Sequence, residues 1–373
     1  MPNLEPADTL VVFAALATAL HVLTALIVAS RRRRGSSTFT SLPPVTILRP
    51  VCGLDQHDAL TLGSTFELDY PAYDIVFCAA SAHDPAVRLV TQLIDRYPAS
   101  HARLLIGNEH VSPNPKLNNL VKAWRAQTAD WVVMADSNVL MPAGYLQQLL
   151  ATWQSGTGLV CSPPIGTLPD TFMAEIEAGF LNTYQARWQL AADSAGFGFA
   201  QGKSMLWRRD LLDRAGGIEA LGRELAEDAA ATKIVREAGL RVRLTATPFA
   251  QPLGARTARQ IWDRQLRWAR LRRMTFPMAF APEILSGLLP PLTAVVAWSH
   301  LSAYPALPAA AALTVTWYGT EAALAHVMGW HLSRRSIAAW LLRDALLPLL
   351  WTSAIAGSAL TWRGNDLRPA RSG

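Results

Sequence analysis

The chain is 373 residues long, 51% hydrophobic and only 17% charged, a balance that argues against an entirely soluble protein and for a polar part joined to membrane segments. Its net charge of +6 does not single out nucleic acid as a partner, because the arginines gather beside apolar runs, where a lipid bilayer with anionic headgroups attracts them. Three cysteines without a CxxC pair, and eight histidines without HExxH or finger spacing, indicate neither a disulfide scaffold nor a zinc site.

From Leu10 to Ser30 no residue carries a permanent charge. At about 1.5 Å per helical residue this run is long enough to cross a hydrocarbon core of roughly 30 Å. Arg31 to Arg34 follow it rather than precede it, and no small-residue cleavage pattern ends it. Residues 1–34 are therefore expected to be an uncleaved anchor rather than a signal peptide. The positive-inside rule then puts the N-terminus outside and the polar middle in the cytoplasm.

Within 35–255, short apolar runs alternate with helical patterns: Val45 to Leu48, Ile75 to Ala79, Leu104 to Ile106 and Trp131 to Ala135. The alternation predicts a largely parallel α/β sheet, whose ligands bind beyond the carboxyl ends of the strands. Asp84 follows the second run and precedes Pro85, which is also how a helix N-cap looks. Asn114-Pro115-Lys116 suits phosphate oxygens near a helix start, although turn chemistry explains it more simply. Asp136 ends the fourth run in Met134-Ala135-Asp136-Ser137-Asn138; a carboxylate there is desolvated unless a cation or donors satisfy it, which favours a ligand role.

Gly196-Phe197-Gly198 and Gly202 miss the GxGxxG spacing, so a dinucleotide loop is rejected. Gln201-Gly202-Lys203-Ser204 either lets backbone approach a sugar closely or simply begins a strand. Glu227 and Asp228 precede the helical run Ala229 to Glu237, where acidic residues suit the helix dipole without any catalytic purpose.

Residues 256–282 form an arginine-rich amphipathic helix in this reading. Helical spacing puts Arg264, Arg267 and Trp268 on one face, suited to a diphosphate and an acceptor. Ile261, Trp262, Leu266 and Leu271 alternate with arginines as on an interfacial helix, and the two readings can hold for different faces. In 283–373, apolar runs at Ile284 to Tyr304, Ala306 to Trp330 and Ser336 to Trp362 predict two to three transmembrane helices. If all three crossed, Arg363, Arg368 and Arg371 would end outside, against the charge rule, so one is expected to be re-entrant or interfacial. Glu321, Arg343 and Asp344 lie inside these runs; Arg343 and Asp344 form either a local ion pair or part of a polar-ligand site.

Asp84 in its Asp-Pro-Ala context, Asp136, Asp228 after Glu227, and Arg264-Gln265-Leu266-Arg267-Trp268 together resemble the ceramide glucosyltransferase family, glycosyltransferase family 21. The likeness runs from about Val45 to Met274. It implies a GT-A domain over 35–255 in a bacterial, multi-pass inner-membrane protein with its catalytic domain cytoplasmic. It also implies transfer of a hexose, glucose foremost, from a UDP-sugar to the primary hydroxyl of a membrane lipid. Ceramide is the expected acceptor, with diacylglycerol or a hopanoid alcohol as alternatives.

The same resemblance assigns the site. Asp84, Lys116, Asp136, Asn138, Arg264 and Arg267 would bind the nucleotide sugar, and Asp136 would hold a Mg2+ or Mn2+ ion. Trp268 and Gly202 would meet the acceptor. Asp228 would remove the hydroxyl proton as the oxygen attacks opposite the departing UDP, giving a β-glycosyl lipid by single displacement. The chain departs from the common DxD motif in having Asp136-Ser137-Asn138. A transporter would place most of its length in hydrophobic repeats. A non-catalytic lipid-binding protein would not need the three aspartates and the arginine box together.

Overall fold

The computed structural model describes residues 6–32 and 42–357, together with the backbone of 361–362 and 365–366. Arg33, Arg34, Arg363, Arg368 and Arg371, used above for orientation, lie outside the described residues. The described chain forms two compact units, neither continuous in sequence. A sheet unit comprises 42–168 and 192–255, and a helical unit comprises 6–32, 169–191 and 256–357.

The sheet unit contains β1 (Val45–Val51), β2 (Tyr73–Ala79), β3 (Ala102–Ile106), β4 (Trp131–Ala135), β5 (Thr157–Cys161), β6 (Ile165–Pro169), β7 (Ser204–Arg208), β8 (Arg241–Leu244) and β9 (Ala250–Gly254). Seven of them form one sheet in the order β3-β2-β1-β4-β7-β5-β8, and β6 pairs with β9. The four runs expected from sequence are β1 to β4, all mutually parallel. β7 runs antiparallel to both β4 and β5, a reversal that brings the start of β7 to the carboxyl end of β4.

Alternating side chains bury both faces of the sheet. On one face, Val45, Ile47, Val133 and Leu206 pack with Tyr145, Leu146, Leu149 and Leu150 of the helix Tyr145–Thr152, and farther along the same face Ile75 and Phe77, paired with Ile47 and Arg49, pack with Val90 and Leu93 of the helix Pro85–Arg96; Leu48, Val76, Val132 and Met134 are buried on the other face. Each fully buried large aliphatic stabilises the fold by about 1.5–3 kcal/mol. Proline opens two helices at this end of the sheet. Asp84 caps Pro85–Arg96, and Asn114 caps Pro115–Arg125 by accepting from the N–H of Lys116 (3.0 Å) and Leu117 (3.3 Å).

The helical unit holds Pro6–Arg31, Phe172–Gly179, Ala258–Thr275, Leu289–Leu301, Ala306–Met328 and Ser336–Ala356. Among the described residues two helices are long and apolar enough to cross a membrane, Ala7–Arg31 and Ser336–Ala356, and a pair bent by 44°, Pro277–Leu285 with Leu289–Leu301, meets the same test as one broken span. The three expected C-terminal runs contain the helices Leu289–Leu301, Ala306–Met328 and Ser336–Ala356; the third stops short of Trp362, where 361–362 are extended. Ala306–Met328 spans 23 residues but is not among the candidates, since Glu321, His326 and its threonines dilute its apolar character. Arg31, expected beside lipid headgroups, is buried and donates to the Leu190 carbonyl (3.3 Å).

Candidate active site

The sheet's topology assembles the site. Ala135, the last residue of β4, pairs with Ser204, the first of β7. The N–H of Asp136 donates to the Lys203 carbonyl (3.0 Å). Residues 202–203 are thereby held against the Asp136-Ser137-Asn138 segment by backbone register. Behind the segment, Arg49 of β1 is fully buried and donates to the carbonyls of Asp136 (2.8 Å), Ser137 (2.9 Å) and Val139 (3.0 Å). One guanidinium thus gathers three carbonyls of a single turn, two of which also accept from the Val139 N–H (3.2 Å, to Asp136) and the Thr61 hydroxyl (2.6 Å, to Ser137). Nothing in the sequence marked Arg49 for this task.

Lys116 is the hub of the charged cluster. Its ammonium lies 2.6 Å from Asp136 Oδ1 and 2.6 Å from Glu227 Oε1, and donates to the Gly202 carbonyl (2.7 Å). Burial opposes the ammonium, but Asp136 and Glu227 outweigh it and hold its pKa well above the usual lysine range. Asp136 also accepts from Lys203 through Oδ2 (2.8 Å), and Lys203 reaches Asn138 Oδ1 (3.1 Å). Burial works against the Asp136 charge too, yet Lys116 and Lys203 keep the carboxyl well below its usual range. It stays ionised at any physiological pH.

The adjacent acids Glu227 and Asp228 open the helix Glu227–Glu237 and have different surroundings, as adjacent positions on a helix must. Glu227 is buried, with Oε1 on Lys116 and Oε2 accepting from Asn114 Nδ2 (2.7 Å). Asp228 stays partly exposed and accepts from the N–H of Gly202 (3.1 Å). Burial, reinforced by the neighbouring Glu227 charge, pushes its pKa up to about 6, against the pull of Lys116 and of the Gly202 and Ala229 N–H groups. A partly exposed carboxylate tuned toward neutrality is what proton abstraction requires. Gly202 lets the backbone approach closely here, since a Cβ on it would stand 2.8 Å from Glu227 Oε1 and 3.5 Å from Asp228 Oδ2 and would make these side chains shift.

Asp84 sits where expected, beyond β2, and also fulfils the capping reading: it accepts from the N–H of Ala86 (2.9 Å) and from that of Gly53 beyond β1 (2.9 and 3.1 Å). The arginine box lies in the helical unit, on the helix Ala258–Thr275, whose Thr257–Gln260 capping box fixes its start. Arg267 and Trp268 are partly exposed. Arg264, also partly exposed, is not a free guanidinium. It is bonded to the buried carboxylate of Glu177, which Arg256 also approaches (3.4 Å). Glu177 was not singled out from sequence, because its partners lie far along the chain.

The expected metal ligands do not fit an ion as they stand. Among the described residues no three of His, Cys, Asp and Glu converge on a metal-sized space, and the side-chain oxygens of Asp136 and Asn138 carry lysine ammonium groups.

Comparison with known proteins shows the family and the fold. A model of glycosyl transferase family 21 matches residues 9–373. Ceramide glucosyltransferase 3 of Caenorhabditis elegans is 28% identical over 333 residues, covering 87% of this chain and 72% of that protein. The ceramide glucosyltransferase of Komagataella phaffii is 27% identical over 421 residues, covering 87% and 82%. Among solved structures, a mannosyltransferase from Pyrobaculum calidifontis in complex with GDP-Man and Mn2+ superposes with a TM-score of 0.52 at 21% identity, covering 94% of this chain and 98% of that one. The fold is that of the GT-A glycosyltransferases.

Proposed function

From the premise that the chain belongs to glycosyl transferase family 21, and is thus a glycosyltransferase, we propose that it transfers glucose from UDP-glucose to the primary hydroxyl of ceramide with inversion. The observation that carries the reading is the difference between Glu227 and Asp228. The first is locked by Lys116 and Asn114, while the second is partly exposed with its pKa near 6. Asp228 takes the proton of the attacking hydroxyl. The Lys116 and Lys203 ammonium groups offer positive charge to the diphosphate, and an ionised Asp136 holds both in place.

Asp84, at the mouth of β1 and β2, takes the nucleotide end in this reading, and Gly202 leaves room for the sugar. Arg267 and Trp268, with Arg264 oriented by Glu177, serve the diphosphate and acceptor. A bound Mg2+ or Mn2+ would neutralise diphosphate charge, and it would reach Asp136 and Asn138 only by displacing Lys203. Exposed Leu16, Leu20, Leu23 and Leu26 on the first helix, with Leu341, Leu349 and Ile355 on the last, support membrane association; that the protein is multi-pass in the inner membrane with its sheet unit cytoplasmic is part of the same proposal.

The test is incubation of the purified full chain with UDP-glucose, UDP-galactose, UDP-glucuronate or UDP-N-acetylglucosamine and with ceramide, diacylglycerol or a hopanoid alcohol. UDP release and product mass are followed. Expected is β-glucosylceramide from UDP-glucose, with the anomeric configuration read by NMR. No lipid-dependent UDP release with any pair overturns the reading.

A further inference from the structure

The helical unit contains a cavity of about 20 Å³, room for one polar group the size of a water molecule. One wall is the helix Ala258–Thr275, where Gln265, Ala269 and Arg272 recur at helical spacing on one face. Gln265 belongs to the arginine box, yet it is buried in this wall while Arg267 and Trp268 are partly exposed. The segment Phe180–Ala186 supplies Tyr184 and Gln185 from π-helical turns, a geometry frequent at functional sites. Trp351 closes the cavity from the candidate span Ser336–Ala356, and Glu283 from the bent pair.

The polar groups around this space hold one another. Arg272 donates to both oxygens of Glu283 (2.7 and 2.8 Å), Tyr184 and Ser286 share a hydrogen bond (2.7 Å), and Gln185 Nε2 donates to Gln265 Oε1 (2.8 Å). The exception is the other end of the Gln265 amide. Gln265 is 3% exposed, and its Nε2 donates to no atom among the described residues. A buried N–H left so is costly, and an incoming oxygen would remove the cost. A tryptophan on an apolar span beside an arginine–glutamate pair marks the interfacial depth of a bilayer, where the acyl linkages of lipids lie.

We propose that Gln265 Nε2 binds the amide carbonyl of an N-acylated lipid in this cavity, the acceptor in the reaction proposed above. The inference rests on that reading. In ceramide the amide nitrogen is attached to the carbon next to the one carrying the reacting hydroxyl, so holding the carbonyl restricts the hydroxyl as well. The ester oxygen of a diacylglycerol is a weaker partner for an N–H, and a hopanoid alcohol brings no acyl carbonyl, which leaves the buried donor unpaired.

The test compares purified full-length wild type, Gln265→Met and Gln265→Glu in kcat and in KM for short-chain ceramide and for UDP-glucose. Methionine removes the amide at similar volume. Glutamate keeps an oxygen for Gln185 Nε2 and removes only the donor. Each variant should raise the ceramide KM at least about tenfold, with kcat and the UDP-glucose KM within about threefold of wild type. A wild-type ceramide KM in either variant that melts as wild type does overturns the proposal, and so does an equal rise in both KM values. The second arm omits UDP-glucose and uses a ceramide with a photoactivatable diazirine in its acyl chain close to the amide. It should label the peptides containing Tyr184 or Trp351 in wild type, be competed by unlabelled ceramide, and lose most of that labelling in Gln265→Met. No competable label there overturns the proposal and leaves the cavity to water. Label there without transfer by wild type from any UDP-sugar sinks the reaction proposed above and leaves the lipid site standing.

Discussion

Each unit of the molecule contains a buried cluster of opposite charges. In the helical unit Arg343 donates twice to Glu321 (2.8 Å each) and pairs with Asp344 (2.9 Å), while Asp344 also accepts from Tyr318 (3.1 Å) and from the Leu288 N–H (3.0 Å). All three charged side chains are buried, and every carboxylate oxygen has a partner. In the sheet unit Lys116, Asp136, Lys203 and Glu227 are similarly saturated, but Asp228 is partly exposed and has an elevated pKa. Ionisable residues in an apolar setting mark candidates for function. What separates a structural cluster from a reactive one is the group left incompletely satisfied and open to a substrate.

The sharpest way to break that comparison is to neutralise the open group. Asp228→Asn preserves size and the acceptor for the Gly202 N–H while removing the base. Turnover should fall by about 10²–10⁴-fold, with UDP affinity changed less than about threefold by calorimetry. Near-normal transfer by this variant would remove Asp228 from the mechanism. The mirror experiment opens the closed cluster. Arg343→Leu strands two buried carboxylates and should cost about 3–5 kcal/mol of stability, read as a large fall in thermal midpoint, while folded protein retains wild-type UDP affinity. A stable Arg343→Leu chain with no transfer would make the closed cluster functional instead.

Much of the sheet unit was legible from sequence, because β1 to β4 are runs of apolar residues with one local meaning, and Asp136 stands where such a run stops. The proline-opened helices behind Asp84 and Asn114 were equally local signals. What stayed hidden depends on pairing across long separations. The antiparallel insertion of β7 between β4 and β5 places Lys203 on Asp136. Arg49, inside an apolar strand, gave no sign that it gathers the carbonyls of the next-but-two strand's exit. Glu177 looked like an ordinary helical acid, and the grouping of 169–191 with the helical unit has no compositional signature. The membrane runs were plain, but which of them crosses turns on hydropathy differences as modest as those of Ala306–Met328.

A smaller perturbation probes how tightly the open cluster is assembled. Gly202→Ala would bring a Cβ to within 2.8 Å of Glu227 Oε1 and 3.4 Å of Lys116 Nζ. The hub must shift by a few tenths of an ångström, and displacements of this order at a reacting centre reduce rates by roughly ten- to a hundredfold. The reduction should appear in kcat with the thermal midpoint nearly unchanged. A fall in midpoint without loss of kcat would mean that Gly202 serves packing rather than the site.

The smallest expected effect tests the electrostatics directly. With Asp228 at about 6, the base is ionised above that pH and protonated below it, so kcat/KM should rise with pH to a plateau and fall on the acid side. Burial is the leading cause of the elevation and the Glu227 charge the second. Glu227→Gln removes the second while leaving burial in place, and it frees Lys116, which lowers the Asp228 pKa, from one of its two anionic partners. Both changes act in the same direction. The acid limb should therefore move down by about half a unit to one unit, remaining above the ordinary aspartate value because burial persists. A limb that stays in place, or moves up, would mean that the titrating group is not Asp228, and the contrast between its open carboxylate and the saturated ones around it would lose its chemical meaning.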